Sequence, residues 1–257
     1  MNRIKLSAAD WCYLKPEDDP EDYYRKLKEM GYQGVEMAAP ERWEAVKNVG
    51  LSLVNISGPG MQVGLNRKEK HAELLPEIEK FLETARLQGM DHVIIFSGNR
   101  EGQADVDGLK NVTGAVKKLA KKAETAKVTL AFEVLNSFDH ADYQADHAAY
   151  AFELVRGVSS PYVKVLYDIY HMQRMGEDVL QDVLSNLEFI HHLHVAGSPK
   201  RDFPGEGQEI NYPVVVREIH RAGYTGYWGQ EFVPGEDRFG ELQRAADLFR
   251  SYASLES

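Results

Sequence analysis

The sequence carries one cysteine, Cys12, so it can form no internal disulfide and asks for no oxidising compartment. No stretch approaches the roughly 18 consecutive apolar residues of a membrane-spanning helix. Low-complexity tracts and linkers rich in Pro, Gly or Ser are also missing. Positive charge is in deficit: 30 Lys and Arg stand against 40 Asp and Glu, a formal charge of −10. That balance repels polyanions and argues against nucleic acid as a partner. Met1-Asn2-Arg3-Ile4 leads directly into a strand-like segment with no secretory core, so the expectation is a soluble cytoplasmic protein with no membrane partner. Gly58-Pro59-Gly60 and Gly205-Glu206-Gly207 lack the spacing of a phosphate-binding turn. There is no nucleophile elbow, no HExxH and no CxxC, and no organic cofactor is expected.

What is present fits an ordinary globular core: 257 residues, 43% hydrophobic and 27% charged. Short apolar runs alternate with longer amphipathic stretches. The runs are Ile4–Ala8, Gly34–Met37, Leu51–Ile56, His92–Phe96, Thr129–Glu133, Val163–Tyr167, Ile190–Val195 and Tyr227–Phe232. Each has strand length and turn residues at its ends. Between them the period is helical. Val106, Leu109, Val112, Val116, Leu119 and Ala123 form one stripe, with Lys117, Lys118, Lys121 and Lys122 on the opposite face. Asp19-Pro20 reads as a helix start, and Gly31, Gly89 and Gly223 read as helix ends at positive φ. Eight strands alternating with helices over this length predict a single (β/α)8 barrel domain, 1–257. The rival doubly wound sheet would want a Gly-rich turn after its first strand, where this chain has Ala8-Ala9-Asp10-Trp11.

Barrel chemistry comes from the C-terminal ends of strands. The fifth strand ends Ala131-Phe132-Glu133, the sixth Leu166-Tyr167-Asp168, the seventh His192-Leu193-His194 and the eighth Gly229-Gln230-Glu231. Four successive strands therefore finish on Glu, Asp, His and Glu, each about one βα unit apart. Any one such residue would be read as a local hydrogen-bond partner or helix cap, but four in succession point to a shared purpose. Alternation sets Ala131 and Gly229 on the inward side with the two glutamates, leaving them room to turn in. Carboxylates crowded this way repel one another unless a cation lies among them. Three carboxylates and an imidazole suit one divalent metal ion, Mn²⁺ or Mg²⁺, and would also accept Co²⁺ or Zn²⁺. Near this group His171 could reach a substrate oxygen, and Lys200 with Arg201 form a basic pair suited to an anionic group. Trp11 and Phe96 could wall the pocket, and Asn136, Asn99 and Asp139 are further polar candidates. His191 and His192 read as barrel wall or interior rather than as ligands.

These residues resemble the xylose-isomerase-like barrel superfamily, and more closely its hydroxypyruvate isomerase branch. The resembling segments are Phe96-Ser97-Gly98-Asn99-Arg100, Phe132-Glu133-Val134-Leu135-Asn136, Leu166-Tyr167-Asp168-Ile169-Tyr170-His171-Met172-Gln173, Glu209-Ile210-Asn211-Tyr212 and Gly229-Gln230-Glu231-Phe232. The resemblance implies a metal held by Glu133, Asp168, His194 and Glu231, with Glu133 and Glu231 doubling as acid and base. His171 and Arg201 would hold a small hydroxy-keto acid or ketose. The implied reaction is an isomerisation through an enediolate, hydroxypyruvate to tartronate semialdehyde being the preferred case. One departure bears on substrate: some hydroxypyruvate isomerases carry Gln where this chain has His194, whereas ketose 3-epimerases carry His. A ketose 3-epimerase or a polyol- or inosose-type dehydratase on the same metal site is the alternative, with an abasic-site endonuclease further off. Barrels of this kind pair through their outer helices, so a homodimer or higher homo-oligomer is expected by analogy.

Overall fold

A computed structural model describes residues 4–254. Eight parallel strands close in sequence order into a barrel: β1 (Lys5–Ala9), β2 (Gly34–Glu36), β3 (Ser52–Ser57), β4 (His92–Ile95), β5 (Thr129–Glu133), β6 (Val163–Asp168), β7 (Ile190–Val195) and β8 (Tyr227–Gln230). The helices are α1 (Asp10–Tyr13), α2 (Pro20–Glu29), α3 (Trp43–Asn48), α4 (His71–Gln88), α5 (Asp105–Ala126), α6 (Ala148–Val158), α7 (Ile169–Arg174), α8 (Val179–Ser185), α9 (Tyr212–Arg221) and α10 (Arg238–Ser254). The (β/α)8 expectation holds.

Contacts gather into two units. The first takes the chain through Val54, Asp178–Leu187 and the chain from His192 onward. In it β1 pairs with β2 and β8, and β7 pairs with β8, with Ala9 opposite Glu36 and His194 opposite Gly229. Its apolar filling includes Trp228 edge-to-face with Tyr224 and Phe249. The second unit takes Asn55–Glu177 and Glu188–His191. There β4 pairs with β3 and β5, and β5 with β6, so that Glu133 stands opposite Leu166. Phe132 stacks on Tyr150 and Phe152 on Tyr167.

Local chemistry explains the boundaries. The Asp19 side chain accepts the Asp22 amide and Pro20 opens α2, as the sequence predicts. Gly89 ends α4 in the left-handed conformation, with φ of 73°. Strand β2 stops one residue short of the expected Met37, whose φ of 53° turns the chain out of the strand. The α5 stripe needs one correction: Val106 is 73% exposed, because it lies in the first helical turn, and burial is complete only from Val112 onward.

Candidate functional site

Glu231 follows β8 directly, its amide still donating to the Val195 carbonyl at 3.0 Å. Its carboxylate is buried and well supplied with donors. Trp11 Nε1 donates to Oε1 at 2.9 Å and Arg201 Nη2 to Oε2 at 2.5 Å, while His194 Nδ1 lies 3.1 Å from Oε2. Burial alone would raise this carboxyl's pKa. The His194 and Arg201 charges and the Trp11 hydrogen bond overcome it and hold the group far below the usual carboxylate range. The Arg201 guanidinium also lies 5.3 Å over the Trp11 ring. Arg201 itself has a left-handed backbone, φ 56°, and its carbonyl accepts the Val233 amide at 2.7 Å. Strain of that kind in a non-glycine residue is tolerated where it aims a side chain. Trp11 remains 52% exposed, so its indole bridges solvent and site. Lys200 is exposed, and of the basic pair it is Arg201 that meets Glu231.

Beneath this carboxylate lies a residue that strand-end reading of β5–β8 did not reach. Glu36 ends β2 and is completely buried. Its Oε2 lies 2.8 Å from His194 Nε2 and 3.0 Å from His192 Nε2, and its Oε1 accepts the Ser7 hydroxyl at 2.5 Å. Burial would raise the Glu36 pKa, but the two imidazoles hold it well below the ordinary value. When His194 is neutral, a proton on the Nε2 that faces Glu36 leaves Nδ1 as the unprotonated nitrogen toward Glu231. Gly229 makes room for this stack: a Cβ there would come within 2.2 Å of Glu36 Oε1 and 2.8 Å of His192 Nε2. The inward placement expected for Gly229 follows from that packing. His192 belongs to the interior, as expected of it.

Glu133 ends β5, and the Tyr143 hydroxyl donates to its carbonyl at 3.0 Å, fixing the strand end. Asp168 ends β6 and caps α7, its Oδ1 accepting the His171 amide at 3.0 Å while Oδ2 lies 3.6 Å from His171 Nε2. His171 is fully buried. The Asn136 amide donates to its Nδ1 at 3.1 Å, and the Asn136 side-chain nitrogen is 2.5 Å from the same atom. With Nδ1 accepting, a neutral His171 carries its proton on Nε2. Asn136 also accepts the Phe138 and Asp139 amides on its Oδ1 and donates to Asp139 Oδ2. Its polar atoms therefore orient His171 and the following loop. The Glu209-Ile210-Asn211-Tyr212 segment shapes the chain after β7: Glu209 accepts the Ser198 hydroxyl, Asn211 caps α9 and the Tyr212 hydroxyl donates to the Ala196 carbonyl.

Glu133, Asp168, His194 and Glu231 are all buried, and each offers one ligand atom within 4.8 Å of the others. A (β/α)8 barrel with a buried group of three carboxylates and an imidazole at its strand ends defines a class of enzyme-like barrel. Residues 24–252 match the family described as xylose isomerase-like TIM barrel, and the chain belongs to that family. Among named relatives, the hydroxypyruvate isomerase of Escherichia coli K12 is 35% identical over 107 residues, 42% of this chain and 41% of that protein. The 2-oxo-tetronate isomerase of Cupriavidus necator is 28% identical over 91% of this chain and 87% of that protein. Among solved structures, an AP endonuclease, family 2, from Brucella melitensis has a TM-score of 0.83 at 23% identity, covering 95% of this chain and 98% of that one. That likeness concerns the fold.

Proposed function

We propose that this chain is an isomerase of small hydroxy-keto acids, converting hydroxypyruvate to tartronate semialdehyde with one divalent cation at the strand-end group. The observation that carries the reading is the buried convergence of Glu133, Asp168, His194 and Glu231. The names of the relatives support the reaction class. The donor set fits the cation on chemical grounds: three buried carboxylates and an imidazole in one small volume repel each other without positive charge among them. Oxygen-rich ligation favours Mg²⁺ or Mn²⁺, with Co²⁺ or Zn²⁺ also accommodated. When bound, the cation supplies the positive charge that makes a negative oxygen beside the reacting carbon tolerable.

The chain's own residues do the rest. One of Glu133 and Glu231 takes the proton from the hydroxyl-bearing carbon, and a proton returns to the neighbouring carbonyl carbon from the same or the other glutamate. The hydroxyl proton passes to the former carbonyl oxygen, so the reaction balances without an external oxidant. His171, with its proton on Nε2, donates to a substrate oxygen. Arg201, already within reach of Glu231, binds the substrate carboxylate, and Trp11 covers it.

Glu133→Gln and Glu231→Gln preserve shape and remove the base, and each should lower kcat for hydroxypyruvate by ~10²–10⁴. Turnover near the wild-type value in either variant defeats the two-glutamate assignment.

A further inference from the structure

A second set of metal-type donors lies at strand starts rather than strand ends. Asp91 precedes β4, His92 opens it, and His191 is the second residue of β7. Each offers one ligand atom within 4.8 Å of the others. Asp91 Oδ2 is 3.0 Å from His191 Nε2 and 4.0 Å from His92 Nδ1. The two imidazoles meet edge-to-face, with centroids 5.0 Å apart and planes at 81°. The Asp91 carbonyl accepts the Thr129 amide at 3.2 Å, which pins the loop that carries the carboxylate. The His92 side chain is buried, that of His191 is 24% exposed and that of Asp91 55% exposed, so one side of the group opens to solvent. The group shares no residue with Glu133, Asp168, His194 and Glu231.

We infer that Asp91, His92 and His191 form a second divalent-metal site, selective for Zn²⁺ or a neighbouring late transition ion. Two imidazoles and one carboxylate are borderline donors that suit zinc, cobalt or copper, whereas magnesium and calcium prefer oxygen alone. Bonds of ~2.0–2.2 Å in a tetrahedral site place ligand atoms about 3.4 Å apart. The observed separations of 3.0 and 4.0 Å straddle that spacing, so small side-chain rotations seat the ion. Three protein ligands with one open side leave the fourth position to water. Asn55 completes the surroundings, its side-chain nitrogen lying 3.1 Å from His92 Nε2. With a metal on Nδ1 the proton sits on Nε2, and a half-turn of the Asn55 amide presents its oxygen as acceptor.

The test uses the full chain stripped with a chelator, then equilibrium dialysis against Zn²⁺ and titration with Co²⁺ followed by its visible d–d absorption. Wild type should hold two Zn²⁺ per chain. Asp91→Asn and His191→Asn, both at the solvent side, should each hold one, with affinity at this site lowered on the order of 100-fold and isomerase turnover kept. Circular dichroism confirms that each variant is folded, and either folded variant suffices. Asp168→Asn should keep this site and lose the other. A single Zn²⁺ in wild type that disappears in Asp91→Asn supports this site and removes the metal from the proposed isomerase centre. Unchanged stoichiometry and affinity in a folded Asp91→Asn or His191→Asn variant overturns the inference.

Discussion

Glu36→Gln separates the orientation of a ligand from the chemistry of a base. Glu36 is fully buried, lies 2.8 Å from His194 Nε2 and 3.0 Å from His192 Nε2, and is held ionised by them. The glutamine keeps the volume and the bond from Ser7 but withdraws the charge that fixes the His194 tautomer. Loss of an outer partner to a ligating histidine costs 10–100-fold in metal affinity, about 1.4–2.7 kcal/mol. Mn²⁺ affinity of the stripped protein, measured by calorimetry at pH 7, should fall within that range. On the proposed mechanism Glu36 touches no reacting atom, so raising Mn²⁺ to saturation should restore most of kcat, which it should not do for Glu133→Gln. Mn²⁺ affinity within twofold of wild type would refute the reasoning, as would a kcat loss that saturating Mn²⁺ leaves untouched.

If Arg201 grips the substrate carboxylate, as proposed, Arg201→Ala removes a charge-assisted bond worth about 1.5–3 kcal/mol. The kcat/KM ratio of hydroxypyruvate to a neutral ketose should fall about 10- to 100-fold; an unchanged ratio would leave the acid without its binding residue. Asp18 receives Arg238 Nη2 at 2.5 Å and the Lys15 amide at 2.7 Å. Burial would raise its pKa, but these partners hold it below the ordinary aspartate value. The bond therefore stabilises above ~pH 4, the unfolded pKa, and is lost as pH falls through the lower folded value. Asp18→Asn should cost ~1 kcal/mol in urea unfolding at pH 7, a gap that closes in acid. A gap that stays constant with pH would exclude this pair as its source.

Much of the barrel was legible because burial and period coincide. Thr129–Glu133 and Ile190–Val195 are observed with the expected bounds. Their apolar runs are long enough, and their flanking turns clear enough, to leave no other reading. The strand-end quartet was legible for a related reason, since parallel strands of one barrel deliver their last residues to one end. Glu36 was not, because β2 has only three residues and Gly34-Val35-Glu36 carries no alternation. The usable signal was the strand-end rule itself, applied to β2 as well as to β5–β8. The commitment of Asn136 to His171 and of Arg201 to Glu231 rests on residues 35 and 30 positions apart. No local propensity encodes pairings of that kind.

A strand-end carboxylate need not choose between capping a helix and serving a site, because it has two oxygens. Asp168 gives Oδ1 to the His171 amide at the start of α7, and Oδ2, 3.6 Å from His171 Nε2, is the oxygen that the proposed metal reading would use. The two roles respond differently to substitution. Asparagine is as good an N-cap as aspartate, so Asp168→Asn keeps the hydrogen bond to His171 while removing the negative charge. Alanine removes both, and loss of such a cap costs about 1 kcal/mol. Urea unfolding without metal should therefore find Asp168→Asn close to wild type and Asp168→Ala lower by about that amount. Mn²⁺ affinity should fall sharply in both. If asparagine destabilised the fold as much as alanine does, the carboxylate's charge rather than its cap would be holding α7 in place, and this division of labour between the two oxygens would fail.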